Sequence, residues 1–228
     1  MLKSGIDQDA LTSMFAQASA KQGEALRKAV ADATLRALQG RELTLENIRK
    51  VVKSVTQATS AGAAQNPAAA LDVEGMLGKA FAGMDSALLQ AVEANRKALE
   101  QFVGQGAGLK DGVLKEAVGN LEKMEDMFFA AVSKATQASG PLQPAWDNVL
   151  SSMKMKGTDT GAQASAVVEQ VMEQARTALR DGRASGMRAA QAMLDSYAAL
   201  VSGVLIGMSE GLQQGSARAA ESQKSKRR

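Results

Sequence analysis

The sequence predicts an all-α protein: an elongated bundle of five or six amphipathic helices with coiled-coil-like packing and a disordered basic C-terminal tail. Three observations predict it. Apolar residues recur at threes and fours along most of the chain. The three prolines, Pro67, Pro141 and Pro144, fall between those stretches, where they interrupt no helix. Large side chains are scarce, with one Trp, one Tyr and five Phe in 228 residues, so much of the 45% hydrophobic content is alanine. Alanine packs closely but buries little area, which favours a long thin bundle over a thick globule.

The first segment runs from about Asp9 to Gln39, with Leu11, Met14, Phe15, Ala18, Leu26, Ala29, Val30, Ala33 and Ala37 on one stripe, interrupted at Gln22 and ended by Gly40. Thr44 then caps a second helix whose first turn carries Glu46 and whose apolar face is Leu45, Ile48, Val51, Val52 and Val55. Together they make an N-terminal helical pair over 1–60. Ala61 to Leu71, with Gly62 and an Asn66–Pro67 turn signal, is the first break.

Asp72 caps the third segment, in which Leu77, Phe81, Met84, Leu88, Ala91, Asn95, Leu99 and Phe102 step by fours and threes, a heptad seam with one polar position. A buried Asn fixes register or partner number; a slight rotation would instead place Asn95 at the edge of the seam. After Gly104, Gly106 and Gly108, the fourth segment (about Leu109 to Ala138) repeats the seam with Leu114, Ala117, Leu121, Met124, Phe128, Ala131 and Ala135. Similar lengths and a short connection predict an antiparallel helical hairpin over 72–138.

Past a second break at Ser139–Pro144, a short helix carries Trp146, Val149, Leu150 and Met153 on one face, with the lone indole expected to plug the end of the bundle. Gly157 to Gly161 is a third loop. From Ala162 to Gly215 no proline intervenes, so a helix of roughly 80 Å is expected there, bent at Gly182 and Gly186. The third unit is thus 144–215, and 216–228 is a frayed basic tail.

That last helix holds the least accidental pattern in the chain. Gly203, Gly207, Gly211 and Gly215 fall four apart, as do Gly182 and Gly186. Each glycine costs about 1 kcal/mol relative to alanine in a helix, and close approach of another helix is the usual compensation. The partner helix lies either in the same bundle or in a second copy. Between Ser196 and Ser209 no charge occurs, and Leu200, Val201, Val204, Leu205 and Met208 offer an apolar contact surface. Fourteen uncharged residues fall short of the ~20 a transmembrane helix needs.

Composition argues against chemistry. There is no His and no Cys, which removes the usual neutral-pH acid–base group and the soft metal ligands and nucleophiles. Gly207-Met-Ser-Glu-Gly211 matches a nucleophile elbow in letters, but no strand precedes it and no His can take the serine proton. Gly106 to Gly112 follows a helix, not the strand a dinucleotide loop requires, and Gly75 to Lys79 is too short for a P-loop. The carboxylates Glu122, Glu125 and Asp126 lack the His of a bundle di-iron site. Glu173 with Arg176 and Arg180 reads as a solvated, charge-paired face. Catalytic residues, metal ligands and cofactor are therefore all expected to be none.

Of the 27 Lys and Arg, four (Lys224, Lys226, Arg227, Arg228) sit in the last five residues, leaving 23 against 24 acids in the body. The positive charge is a property of the tail, and without interleaved aromatics the Arg176–Arg188 face argues against nucleic acid. Met1 to Leu11 has no signal-peptide h-region, and with no Cys to suggest an oxidising compartment the default is cytoplasmic.

The segments Phe81–Phe102 and Leu114–Ala135 and the basic tail Ala217–Arg228, set in a Cys-free body nearly without aromatics, resemble the phasins, bacterial proteins that coat polyhydroxyalkanoate granules. The stretch Leu200-Val-Ser-Gly-Val-Leu-Ile-Gly-Met208 is similar to an all-helical proteobacterial family with no assigned activity. The resemblance implies a granule-associated helical protein and carries over no functional residue. The expected function is non-enzymatic coating of an apolar surface, polymer granule or lipid. The alternative is a self-associating structural or scaffolding bundle, a homo-oligomer without a ligand.

Overall fold

In the computed structural model, which describes residues 7–17, 22–39, 44–66, 69–104 and 112–180, every regular element is a helix. They are α1 (Gln8–Gln17), α2 (Gly23–Leu38), α3 (Leu45–Gln65), α4 (Ala69–Gly104), α5 (Gly112–Glu122), α6 (Met124–Thr136), a single 3-10 turn (Gly140–Leu142), α7 (Gln143–Lys156) and α8 (Asp159–Arg180).

The helix starts follow from local chemistry. Thr44 Oγ1 accepts the Asn47 N–H at 3.2 Å and opens α3, satisfying one of the donors a helix start leaves free. Asp72 has a non-helical backbone (φ −156°, ψ 51°), and its carboxylate accepts the Gly75 N–H at 3.1 Å. It is therefore the effective cap of the regular part of α4. Pro144 lies in the first turn of α7, where a missing N–H costs nothing. Gly157 ends α7 at φ +74°, a left-handed conformation open to glycine at no steric cost.

Hydrogen bonds between helices set their directions. Thr12 Oγ1 donates to the Ala58 carbonyl (3.3 Å) and Asn66 Nδ2 to the Phe15 carbonyl (2.7 Å), so α1 runs parallel to α3. Lys79 pairs with Glu24, and Arg27 donates to Ser86 Oγ at 3.2 Å, so α2 runs parallel to α4. Thr56 reaches the Met84 sulfur and Asn66 the Met76 sulfur, which makes α3 antiparallel to α4. Gln163 donates to Glu93 (3.0 Å) and Gln170 to Glu100 (2.7 Å), both across a separation of 70 residues. Hence α8 lies parallel to α4 in a seven-residue register, the spacing of a coiled-coil seam.

A single apolar core joins all eight helices. The rings of Phe81, Phe128 and Phe129 meet within it, with centroids 4.7, 5.5 and 6.2 Å apart, within the range of favourable aromatic pairs. Two glycines set how closely the helices approach. A Cβ on Gly62 would come within 2.5 Å of Phe15 Cβ, and one on Gly83 within 2.5 Å of the Arg27 carbonyl oxygen and 2.8 Å of Val30 Cβ. Backbone therefore meets backbone where α1 crosses α3 and where α2 crosses α4.

The all-helical class stands, and its subdivision differs from expectation. The stretch expected as one helix over 9–39 supplies both α1 and α2, and the fourth segment breaks at Lys123 into α5 and α6. The described residues thus hold eight α-helices, not five or six. Residues 1–60 form no simple pair, since α1, α2 and most of α3 lie there. Nor do the two seams over 72–138 zip into a hairpin: α4 packs chiefly on α2 and α8, α6 chiefly on α3, and α5 on α8. The break at Lys123 divides the second seam between α5 and α6, and the two seams meet at Phe81 and Phe128 without pairing along their length. Gly62, expected in a loop, lies inside α3, which continues to Gln65. Asn95 is buried, not at the edge.

Candidate functional site

The sequence-predicted contact residues cannot be placed against this core. Gly182, Gly186, Gly203, Gly207, Gly211 and Gly215, and the apolar set Leu200, Val201, Val204, Leu205 and Met208, lie outside the described residues, as do the tail 216–228 and the helix expected beyond Arg180. The described helices gather their functional-group chemistry at two junctions.

The first is the N-terminus of α8. Thr158 caps the helix, its hydroxyl accepting the Gly161 N–H at 2.9 Å and donating to Glu125 Oε1 at 2.7 Å. Glu125, on α6, also takes the Thr158 N–H at 3.0 Å. Asp85, buried on α4, accepts the N–H groups of Asp159 (3.0 Å) and Thr160 (3.1 Å), and Thr160 Oγ1 donates to the Asp85 carbonyl at 2.9 Å. Two carboxylates from two helices thus satisfy the free donors of a third and sit at the positive end of its dipole. Gly161 is part of the fit, because the Glu125 carboxylate fills the space a side chain there would take.

Burial pushes the Asp85 carboxyl above its ordinary range, while its hydrogen bonds from Thr160 and Asp159 pull the other way. A folded-state pKa above the unfolded one means the native protein holds this proton more tightly. The resulting stability is fully present below the ordinary aspartate range and is lost as pH rises through the raised value. The stability of the protein relative to its Asp85→Asn variant is therefore expected to fall as pH rises from about 3.8. Urea midpoints of both proteins across that window measure it, and a gap flat with pH refutes it.

The second junction is the indole. Trp146 is fully buried, and its Nε1 donates to Ser60 Oγ at 2.9 Å. Ser60 in turn donates to the Thr56 carbonyl (2.8 Å) and meets Ser139 Oγ at 3.2 Å. The plug expected for Trp146 is thus tied to α3 and to the turn before α7.

Elsewhere the charges lie on the rim. Arg96 bridges Glu93 and Glu100 beside the two glutamines of α8, and Glu93 is held below the usual carboxylate range chiefly by Arg96. The expected Glu173–Arg176 pair forms at 3.9 Å on an exposed face, a distance and exposure that contribute little stability. Among the described residues no three of His, Cys, Asp or Glu gather so as to hold a metal ion, and no helix is long and apolar enough to cross a membrane. The sequence marked Glu125 only as one of a carboxylate cluster without the His of a di-iron site, and Asp85 drew no attention. The available signals were an Asp within an apolar seam and hydroxyl residues on both sides of Asp159.

Comparison with known proteins finds one family, described as "Family of unknown function (DUF6781)", matching residues 1–214. The match covers most of the chain, so the protein belongs to that family. No curated protein matches, and no solved structure matches.

Proposed function

We propose that this member of the DUF6781 family is a non-enzymatic, phasin-like protein that covers an apolar surface with its amphipathic helices. One observation carries the reading: apolar stripes run the length of the described helices and are covered by little more than one another. Alanine supplies part of that cover, as in the α8 stripe Ala164, Val167, Val171 and Ala175 facing the bundle, and Ala80, Ala87, Ala91, Ala94 and Ala98 on α4. Alanine contacts bury small areas, so a stripe can exchange them for a lipid or polymer surface of similar polarity. The carboxylates best placed for acid–base work, Asp85 and Glu125, are committed to backbone donors.

In flotation with phosphatidylcholine vesicles or polymer granules, the protein is expected to rise with the apolar phase equally at low and high salt. Electrostatic binding through the tail would fade steeply with salt. Protein that stays wholly in the soluble fraction sinks the reading.

The four-residue glycine spacing in Gly203–Gly215 favours the second reading, a self-associating scaffold. Gly207→Leu separates the two: loss of the oligomer in light scattering with unchanged flotation supports scaffolding.

A further inference from the structure

We propose that α1 is the element that leaves the bundle, carrying Leu11, Met14 and Phe15 onto a lipid surface; this rests on the surface-coating reading above. Leu11, Met14 and Phe15 share one face of a ten-residue helix. A helix so short is marginal in water by itself, so α1 is held by its seat on α3. The backbones of α1 and α3 lie close together, but few side chains hold the seat. Leu11 and Phe15 are its only buried apolar side chains, and Thr12 to the Ala58 carbonyl and Asn66 to the Phe15 carbonyl tie it to α3. Beneath it lie Gly62, against Phe15, and the Ala58 carbonyl, against Thr12.

The α5 helix is held by four buried apolar side chains, Leu114, Ala117, Val118 and Leu121, and α8 is clamped by Asp85 and Glu125 at its N-terminus and by Glu93 and Glu100 along its flank. The α7 helix is anchored by Trp146. Met14 marks the direction of exchange. It is 39% exposed on the docked helix, one of two large apolar side chains so exposed among the described residues. Inserted at an interface, it would complete the face that Leu11 and Phe15 begin.

Two measurements test this on the full chain. Hydrogen exchange of the unaltered protein should show α1 amides exchanging about 100-fold or more faster than those of Ala87–Leu99 in α4, as expected for a locally opening unit. They should slow when phosphatidylcholine vesicles are added. Met14→Glu should leave the urea midpoint unchanged and lower the affinity for these neutral vesicles by about tenfold or more, because a carboxylate resists insertion. Amides of α1 as protected as those of α4, or unchanged binding by Met14→Glu, overturns the proposal while the unaltered protein still floats. If the unaltered protein does not float, the surface-coating reading falls and takes this proposal with it.

Discussion

Alanine in place of Trp146 is expected to cost about 3–5 kcal/mol of unfolding free energy, the range for deleting a fully buried large aromatic. The indole has no exposed surface and lies where α3, α7 and the turn before α7 converge. Its removal opens a cavity and withdraws a donor from Ser60, so the packing loss and the hydrogen-bond loss fall on the same spot. Trp146→Phe separates the two terms. It refills most of the volume, leaves the Ser60 oxygen short of one partner, and should cost about 1–2 kcal/mol. Urea unfolding followed by circular dichroism measures both, and a loss below about 1 kcal/mol for the alanine variant would show that the indole is not a keystone.

The second large effect is a change of sign along one helix. Gly78 and Gly83 both lie within α4. Beyond its own stretch of helix backbone, no atom lies within 4 Å of the place a Cβ on Gly78 would occupy, so Gly78→Ala should stabilise by about 0.5–1 kcal/mol through helix propensity and a less flexible unfolded chain. At Gly83 the same methyl meets the Arg27 carbonyl and Val30. Backbone cannot rotate away as a side chain can, so α2 must shift, and Gly83→Ala should destabilise by about 1–3 kcal/mol despite its better propensity. Thermal midpoints that move in opposite directions bear this out; two shifts of the same sign would mean that α2 does not sit against Gly83.

These contrasts show which parts of the architecture a sequence can carry. The seam from Leu77 to Phe102, the Thr44 and Asp72 caps and the burial of Trp146 were legible because each depends on residues within a turn or two of one another. The partner of the seam was not. A heptad pattern says that another helix lies alongside, and both segment four and α8 offered one. Only the pairing of Gln163 and Gln170 with Glu93 and Glu100 decides for α8. The break at Lys123 left no mark either, since apolar spacing continues across it.

Gly62 and Gly83 illustrate the same limit from the other side. A lone glycine in an alanine-rich stretch suggests a loop until a second helix is seen against it, whereas the regular spacing in Gly203–Gly215 drew attention first. Asp85 and Glu125 could not be connected to Thr158 and Thr160, because the bonds between them span 33 to 75 residues. The candidate contact surface was legible only as composition, since its residues lie outside the described helices.

The parallel pairing of α4 with α8 also bears on synthesis. The residues that Asp85 holds are separated from it by up to 75 positions, so one flank of α4 leaves the ribosome well before its cover exists. At about 5–20 residues per second the wait is about 4–15 s, far longer than a helix needs to form. A nascent chain paused between α4 and α8 would leave that flank of α4 without its cover throughout.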